Sequence, residues 1–250
     1  MEKLINTDHY REVSFQVLGK EYQALQMVLM PGQKIVTATN SVQYMSGTVR
    51  LRDKYSIRER FKQFFTGSRR LDCIADNQDG VGFIGLTQNR GRIIVIEPGQ
   101  ESYFVREEYV LAHTSNIEIV INSKFSGAKL MKQPFFKVIT RRQMPQMFED
   151  FLKSNAMIPL DQPSPTDDSE MLFIHAHDSL VEKTLGEGEV IVVNKASLAC
   201  FSGTLQIEAD RSMGKDFLRI KGPGHLYIET SRNQVMSLAG VLLEPQDLTR

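Results

Sequence analysis

One strand pattern is written twice in this chain, far apart. Residues 32–51, "GQKIVTATNSVQYMSGTVRL", align without a gap on residues 188–207, "GEVIVVNKASLACFSGTLQI". Seven of the twenty positions are identical, including Ser41 with Ser197 and Ser46-Gly47-Thr48 with Ser202-Gly203-Thr204. Beyond the shared turn, Val49 and Leu51 match Leu205 and Ile207 on one face, while Arg50 and Gln206 fall on the other. Strand side chains alternate between faces, so a slip of one residue would move every apolar group into water. A weaker third copy lies between them. It starts at Pro98, needs one extra residue, and ends in "HTSNIEI", which matches "MSGTVRL" and "FSGTLQI". Ile117 and Ile119 take the inward positions and Glu118 the outward one, which varies freely and is expected in solvent.

The flanks agree with a β chain. Val13, Phe15 and Val17 alternate with polar residues, Gly19-Lys20 can turn, and Leu25, Met27 and Leu29 alternate again. This predicts a hairpin of half-buried strands. Pro31-Gly32 ends it. "GVGFIGLTQNRGRIIVIEPG" (80–99) predicts a strand, a turn near 88–91 and a second strand, and "GPGHLYIET" (222–230) echoes its start. One stretch differs: "QMPQMFEDFLKSN" (143–155) places Met147, Phe148, Phe151 and Leu152 on one helical face. The next residues, "IPLDQPSPTDDSE", are rich in proline and acids, as an exposed linker would be. The expected fold is all-β, built from tandem pseudo-repeated β-sandwich or double-stranded β-helix-like units, with one short helix near 145–154. Three regions follow: N-terminal β repeats over 1–142, a helix and proline-rich linker over 143–170, and a C-terminal β repeat over 171–250. They are expected to pack as one globular unit.

Bulk composition bounds the function classes. At 250 residues the chain can bury a substantial core, and its 41% hydrophobic and 24% charged residues are those of an ordinary soluble protein. A formal net charge of zero provides no global field for nucleic acid or anionic membrane. Cys73 and Cys200 sit in apolar runs without a CxxC pair, which predicts buried thiols in a reducing compartment. The first residues read as neither secretory signal nor transit peptide, and no window approaches the roughly 18 apolar residues of a membrane helix. The expected location is the cytoplasm.

Several motifs together carry a family resemblance: "MVLMPGQ", "NSVQYMSG", "GVGFIGLTQNRGRIIVIEPGQ", "FVREEYVLAHTSNIEI", "KASLACFSGTLQIE" and "FLRIKGPGHLYIET". Over roughly residues 15 to 230 the chain resembles the altered inheritance of mitochondria twenty-four family. The resemblance implies repeated β-sandwich units like those of the tryptophan-RNA-binding attenuation protein, in a fold group whose members often form homo-oligomers. It implies no agreed enzyme activity, cofactor or catalytic residue. A fungal mitochondrial relative is associated with inner-membrane organisation. The present sequence departs from the pattern in a longer, more basic segment 124–172, and its first residues do not read as a mitochondrial targeting segment, so none is expected.

Three constellations invite chemistry. "HAHDSLVE" places His175 and His177 on one strand face, with Glu182 four residues beyond Asp178, much like a first cupin metal motif for a first-row divalent ion. The upstream glycines and a second motif are missing, and histidines alternating with Ala176 and Asp178 also suit a solvated strand face. Arg50, Arg52 and Lys54 form a basic strand face; Arg58, Arg60, Lys62, Arg69 and Arg70 follow. Lys124, Lys129, Lys132, Lys137, Arg141 and Arg142 make a later run. Interleaved Phe61, Phe64, Phe65, Phe135 and Phe136 could stack bases beside held phosphates, or the charges could meet anionic lipid. The alternative is a solvated face with core phenylalanines behind it. "GVGFIG" lacks the following helix of a dinucleotide site, so its glycines are expected at turns and close strand approaches. The expectation is therefore a non-enzymatic, self-associating β scaffold or binding protein of unknown ligand, without cofactor. A protein partner is allowed. A metal site at His175, His177 and Glu182, and a nucleic-acid or lipid surface on the basic faces, stand as alternatives.

Overall fold

A computed structural model describes residues 13–54, 71–88, 91–121, 135–140, 170–176, 179–210, 212, 214 and 216–230. Its regular elements are strands joined by tight turns and single 3-10 turns. The helix expected near 145–154 lies outside the described residues. Strands β1 (Ser14–Leu18) and β2 (Ala24–Leu29) form the expected hairpin, with Phe15 opposite Met27. Leu25, Met27 and Leu29 are fully buried, and Phe15 meets Phe173 edge to face at 5.2 Å.

Three copies of one unit follow. The first is β3 (Lys34–Thr37), a 3-10 turn (Thr39–Ser41), β4 (Val42–Met45) and β5 (Val49–Asp53). The second is β9 (Tyr103–Arg106), a 3-10 turn (Glu107–Tyr109), β10 (Val110–Thr114) and β11 (Ile117–Ile121). The third is β15 (Val190–Asn194), a 3-10 turn (Lys195–Ser197), β16 (Leu198–Ser202) and β17 (Gln206–Ala209). Gly32, Gly99 and Gly188 open the three units with φ of 84°, 57° and 79°. Only glycine takes that left-handed conformation without steric cost, which explains its recurrence. Val49, Ile117 and Leu205 are all buried, as the alternation requires. Each such burial stabilises the fold by about 1.5–3 kcal/mol.

Two more strands complete each unit: β6 (Cys73–Asn77) and β7 (Gly82–Leu86), β12 (Phe135–Thr140) and β13 (Leu172–Ala176), and β18 (Phe217–Lys221) and β19 (Gly224–Glu229). Pairing repeats as well. The first strand of each unit pairs with the fourth (β3 with β6, β9 with β12, β15 with β18), and the second with the fifth (β4 with β7, β10 with β13, β16 with β19). Each of the latter ladders carries a register shift at the same place. Strands β8 (Arg92–Ile96) and β14 (Leu180–Leu185) add to β13 and β19, as β2 adds to β7.

Four sheets result, in the orders β1-β2-β7-β4, β5-β6-β3-β10-β13-β8, β11-β12-β9-β16-β19-β14 and β15-β18-β17. All four are open, not closed into a barrel. The two strands expected within 80–99 are present as β7 and β8, but they join different sheets; residues 89–90 of the turn expected between them lie outside the described residues. Three apolar cores separate the layers. The first draws on sheets one and two, the second on sheets two and three, the third on sheets three and four. Strands β10, β13 and β16 are therefore buried along their whole length, on both faces.

Two expectations are corrected here. The outward position of the repeat is exposed at Arg50 and Gln206, but Glu118 is half-buried, where burial pushes its carboxyl up against an opposing pull from Lys54. His175 lies on no solvated face: β13 is covered on both sides and the residue is fully buried.

Candidate functional site

The polar residues that recur across the units act on the backbone. The Ser46 hydroxyl accepts from the Phe83 N–H at 3.0 Å, that of Thr114 from the Met171 N–H at 3.0 Å, and that of Ser202 from the His225 N–H at 2.9 Å. Phe83, Met171 and His225 are themselves equivalent, each one residue before the position facing Met45, His113 or Phe201. Ser46 and Ser202 also meet Thr48 and Thr204 at 2.9 and 3.0 Å. The repeated Ser-Gly-Thr thus holds a strand entry; its hydroxyls are occupied by structure.

The three would-be metal ligands fare differently. His175 is buried in β13 of the second sheet, and His177 lies outside the described residues. Glu182 is exposed on β14 of the third sheet. There its carboxylate accepts from the Tyr227 hydroxyl at 3.4 Å and stands 4.0 Å from His225 Nδ1. Among the described residues no group of three His, Cys, Asp or Glu side chains is placed to hold a metal ion.

Beside Glu182, Tyr227 and Tyr103 are buried in the second core with Cys200. Burial first, then the nearby Glu101, pushes the Tyr103 phenol up to about 12. Burial with Glu182 also raises Tyr227, and burial alone raises the Cys200 thiol. Every shift here favours the neutral form. Cys73 is raised by burial too, and both cysteines are buried free thiols, as expected.

The basic faces are partly neutralised. Arg52 binds Asp76 at 2.9 Å, Arg50 lies opposite the same Asp76 across the ladder, and Lys54 is half-buried. Phe135 and Phe136 are core residues, Phe135 resting against Phe201 at 5.2 Å. They cannot stack bases. The residues from Arg58 to Arg70, Lys124 to Lys132, and Arg141 with Arg142 lie outside the described residues.

Two residues that the sequence did not single out tie the units together. Arg106 is buried, lies over the Phe135 ring at 5.2 Å, and donates to the backbone carbonyls of Lys195 and, at 3.1 Å, Ala196. Tyr109 donates to the buried Glu229 at 2.5 Å. The only available signal was a lone arginine closing the apolar run "YFVR".

Part of the exposed surface is apolar. Tyr44, Met45 and Phe83 on β4 and β7, with Val190 and Val192 on β15, are large exposed hydrophobic side chains. Tyr44 covers Gly85 so closely that a Cβ there would stand 2.2 Å from its ring. This is the close approach expected of that glycine.

Fold and surface define a class: a repeated antiparallel β protein whose recurring polar motifs serve its own backbone. The chain belongs to the AIM24 family, described as mitochondrial biogenesis AIM24, whose model matches residues 15–231. It is similar in fold to the crystal structure of protein SPYM3_0169 from Streptococcus pyogenes. The TM-score is 0.65 at 15% identity, covering 92% of this chain and 98% of that one. No curated protein matches it. Among the described residues no helix is long and apolar enough to cross a membrane.

Proposed function

We propose that this protein is a non-enzymatic β scaffold that self-associates and presents surface to a partner. The observation that carries the reading is the exposed apolar group on the outermost sheets: Tyr44, Met45 and Phe83 on one, Val190 and Val192 on the other. Grouped apolar exposure of this kind marks interaction surfaces. The absence of catalysis is supported by the structural use of its repeated hydroxyls, each of which accepts from a backbone N–H. Sedimentation velocity at micromolar concentration tests self-association: a species heavier than the 28.4 kDa chain is expected. A strict monomer across the whole concentration range refutes it.

A further inference from the structure

The repeat supplies a template for one more strand pairing. Where the first and second units meet, β3 pairs antiparallel with β10, setting Thr37 opposite Ala112, Val36 opposite His113 and Ile35 opposite Thr114. Where the second and third meet, β9 pairs with β16 in the same way: Val105 with Cys200, Phe104 with Phe201, Tyr103 with Ser202. Each seam joins the first strand of one unit to the second strand of the next. The sheet then runs on through six strands. At the third seam the equivalent strands are β15 and β4, and there the sheet is divided: β4 ends one sheet and β15 ends another.

The side chains register the loss. Met45 is 42% exposed, whereas its equivalents His113 and Phe201 are 1% and 0% exposed. Tyr44 is 41% exposed, whereas Ala112 and Cys200 are at 0%. Val192 is 38% exposed, whereas Val36 and Phe104 are both at 7%. Charge separates these two edges from most others. Among the eight sheet ends of the described residues, β5, β8, β11, β14 and β17 each carry a charged residue, which deters pairing with another strand. Strands β4, "VQYM", and β15, "VIVVN", carry none. Both therefore present apolar, unguarded edges of matching type.

We infer that β4 of one copy pairs antiparallel with β15 of a second copy, with Tyr44 opposite Val193, Met45 opposite Val192 and Ser46 opposite Ile191. The inference rests on the self-association proposed above and names its surface. A second copy is the occupant because the two formed seams show which strand type each edge accepts, and among the described residues no strand of the same chain pairs with the free side of β4 or β15. The contact is heterologous, so two copies exchanging both edges close a dimer, and one exchange alone extends a chain.

The test mixes two singly substituted chains, Met45→Cys and Val192→Cys, of different mass under mild oxidation. The native cysteines are buried and stay silent. A disulfide joining one chain of each kind is expected, and none when Val181→Cys, an exposed site on β14, replaces Val192→Cys. If no mixed disulfide forms, the pairing is wrong. If instead a chain carrying both Met45→Cys and Val192→Cys forms the bridge within itself, the seam closes internally and the proposal is likewise overturned. Met45→Lys and Val192→Lys, at positions 42% and 38% exposed in the single chain, should each weaken self-association by at least about tenfold. A wild type that is monomeric throughout defeats the scaffold reading itself. A wild type that associates, with lysine variants that associate equally well, defeats the seam alone.

Discussion

Replacing the repeated hydroxyl tests the three-unit reading most directly. Ser202→Ala removes the acceptor of the His225 N–H at a site with no exposure. Ser202 is fully buried, so water does not readily take the place of its hydroxyl and the cost approaches that of a buried unsatisfied donor, about 1–3 kcal/mol. Thr114→Val does the same to the Met171 N–H, also at full burial, and keeps the side-chain shape. Ser46→Ala is chemically identical, but Ser46 is half-buried beside the exposed Phe83. Water can replace that acceptor, so its cost should fall below about 0.5–1 kcal/mol. In thermal unfolding, a chain of this size shifts by roughly 2–4 °C per kcal/mol. Ser202→Ala and Thr114→Val should each lower Tm by about 4–8 °C at a central cost near 2 kcal/mol. Ser46→Ala should move it by less than about 4 °C, and Thr114→Ser should restore most of the loss. Equal shifts at all three sites, or none at Thr114 and Ser202, would refute the assignment of these hydroxyls to strand entry.

Ile117→Ala should cost about 2–5 kcal/mol in urea denaturation and Gln206→Ala less than about 0.5 kcal/mol, because only the inward position is buried. His113 is fully buried, and burial, with Lys54 nearby, depresses its folded pKa to about 3. The unfolded chain therefore binds a proton near pH 6.5 that the folded chain refuses until about 3. Between those limits this group removes about 1.4 kcal/mol of stability per falling pH unit. His113→Met, which installs the residue of the first unit, should flatten that slope; an unchanged slope counts against it. Iodoacetamide should label neither Cys73 nor Cys200 in the native protein and both in urea, as counted by mass spectrometry, since burial raises both thiols. Elemental analysis after metal-replete expression should find less than about a tenth of an equivalent of Fe, Mn, Ni or Zn; stoichiometric metal would revive the ligand set at His175, His177 and Glu182.

Much of the fold was legible because alternation in a strand is a local property. The 32–51 and 188–207 match, the inward Val49, Ile117 and Leu205, and the turn glycines follow from the period of two and from φ. The candidate site was less legible. "HAHDSLVE" reads as a possible ligand set because a linear pattern cannot tell that its first histidine sits in a strand covered on both faces. Phe135 and Phe136 look like stacking platforms for the same reason. Glu118 looks solvated because its equivalents Arg50 and Gln206 are.

What the chain fixed by itself was the unit: which residues face inward and where each strand must turn. Only the tertiary structure decided which sheet each strand joins. Met45, His113 and Phe201 occupy one position in three copies, and nothing in their local patterns says that two are buried and one is open. That depends on whether a neighbouring strand arrives, through contacts between residues far apart in the chain, and those two seams formed while the third did not.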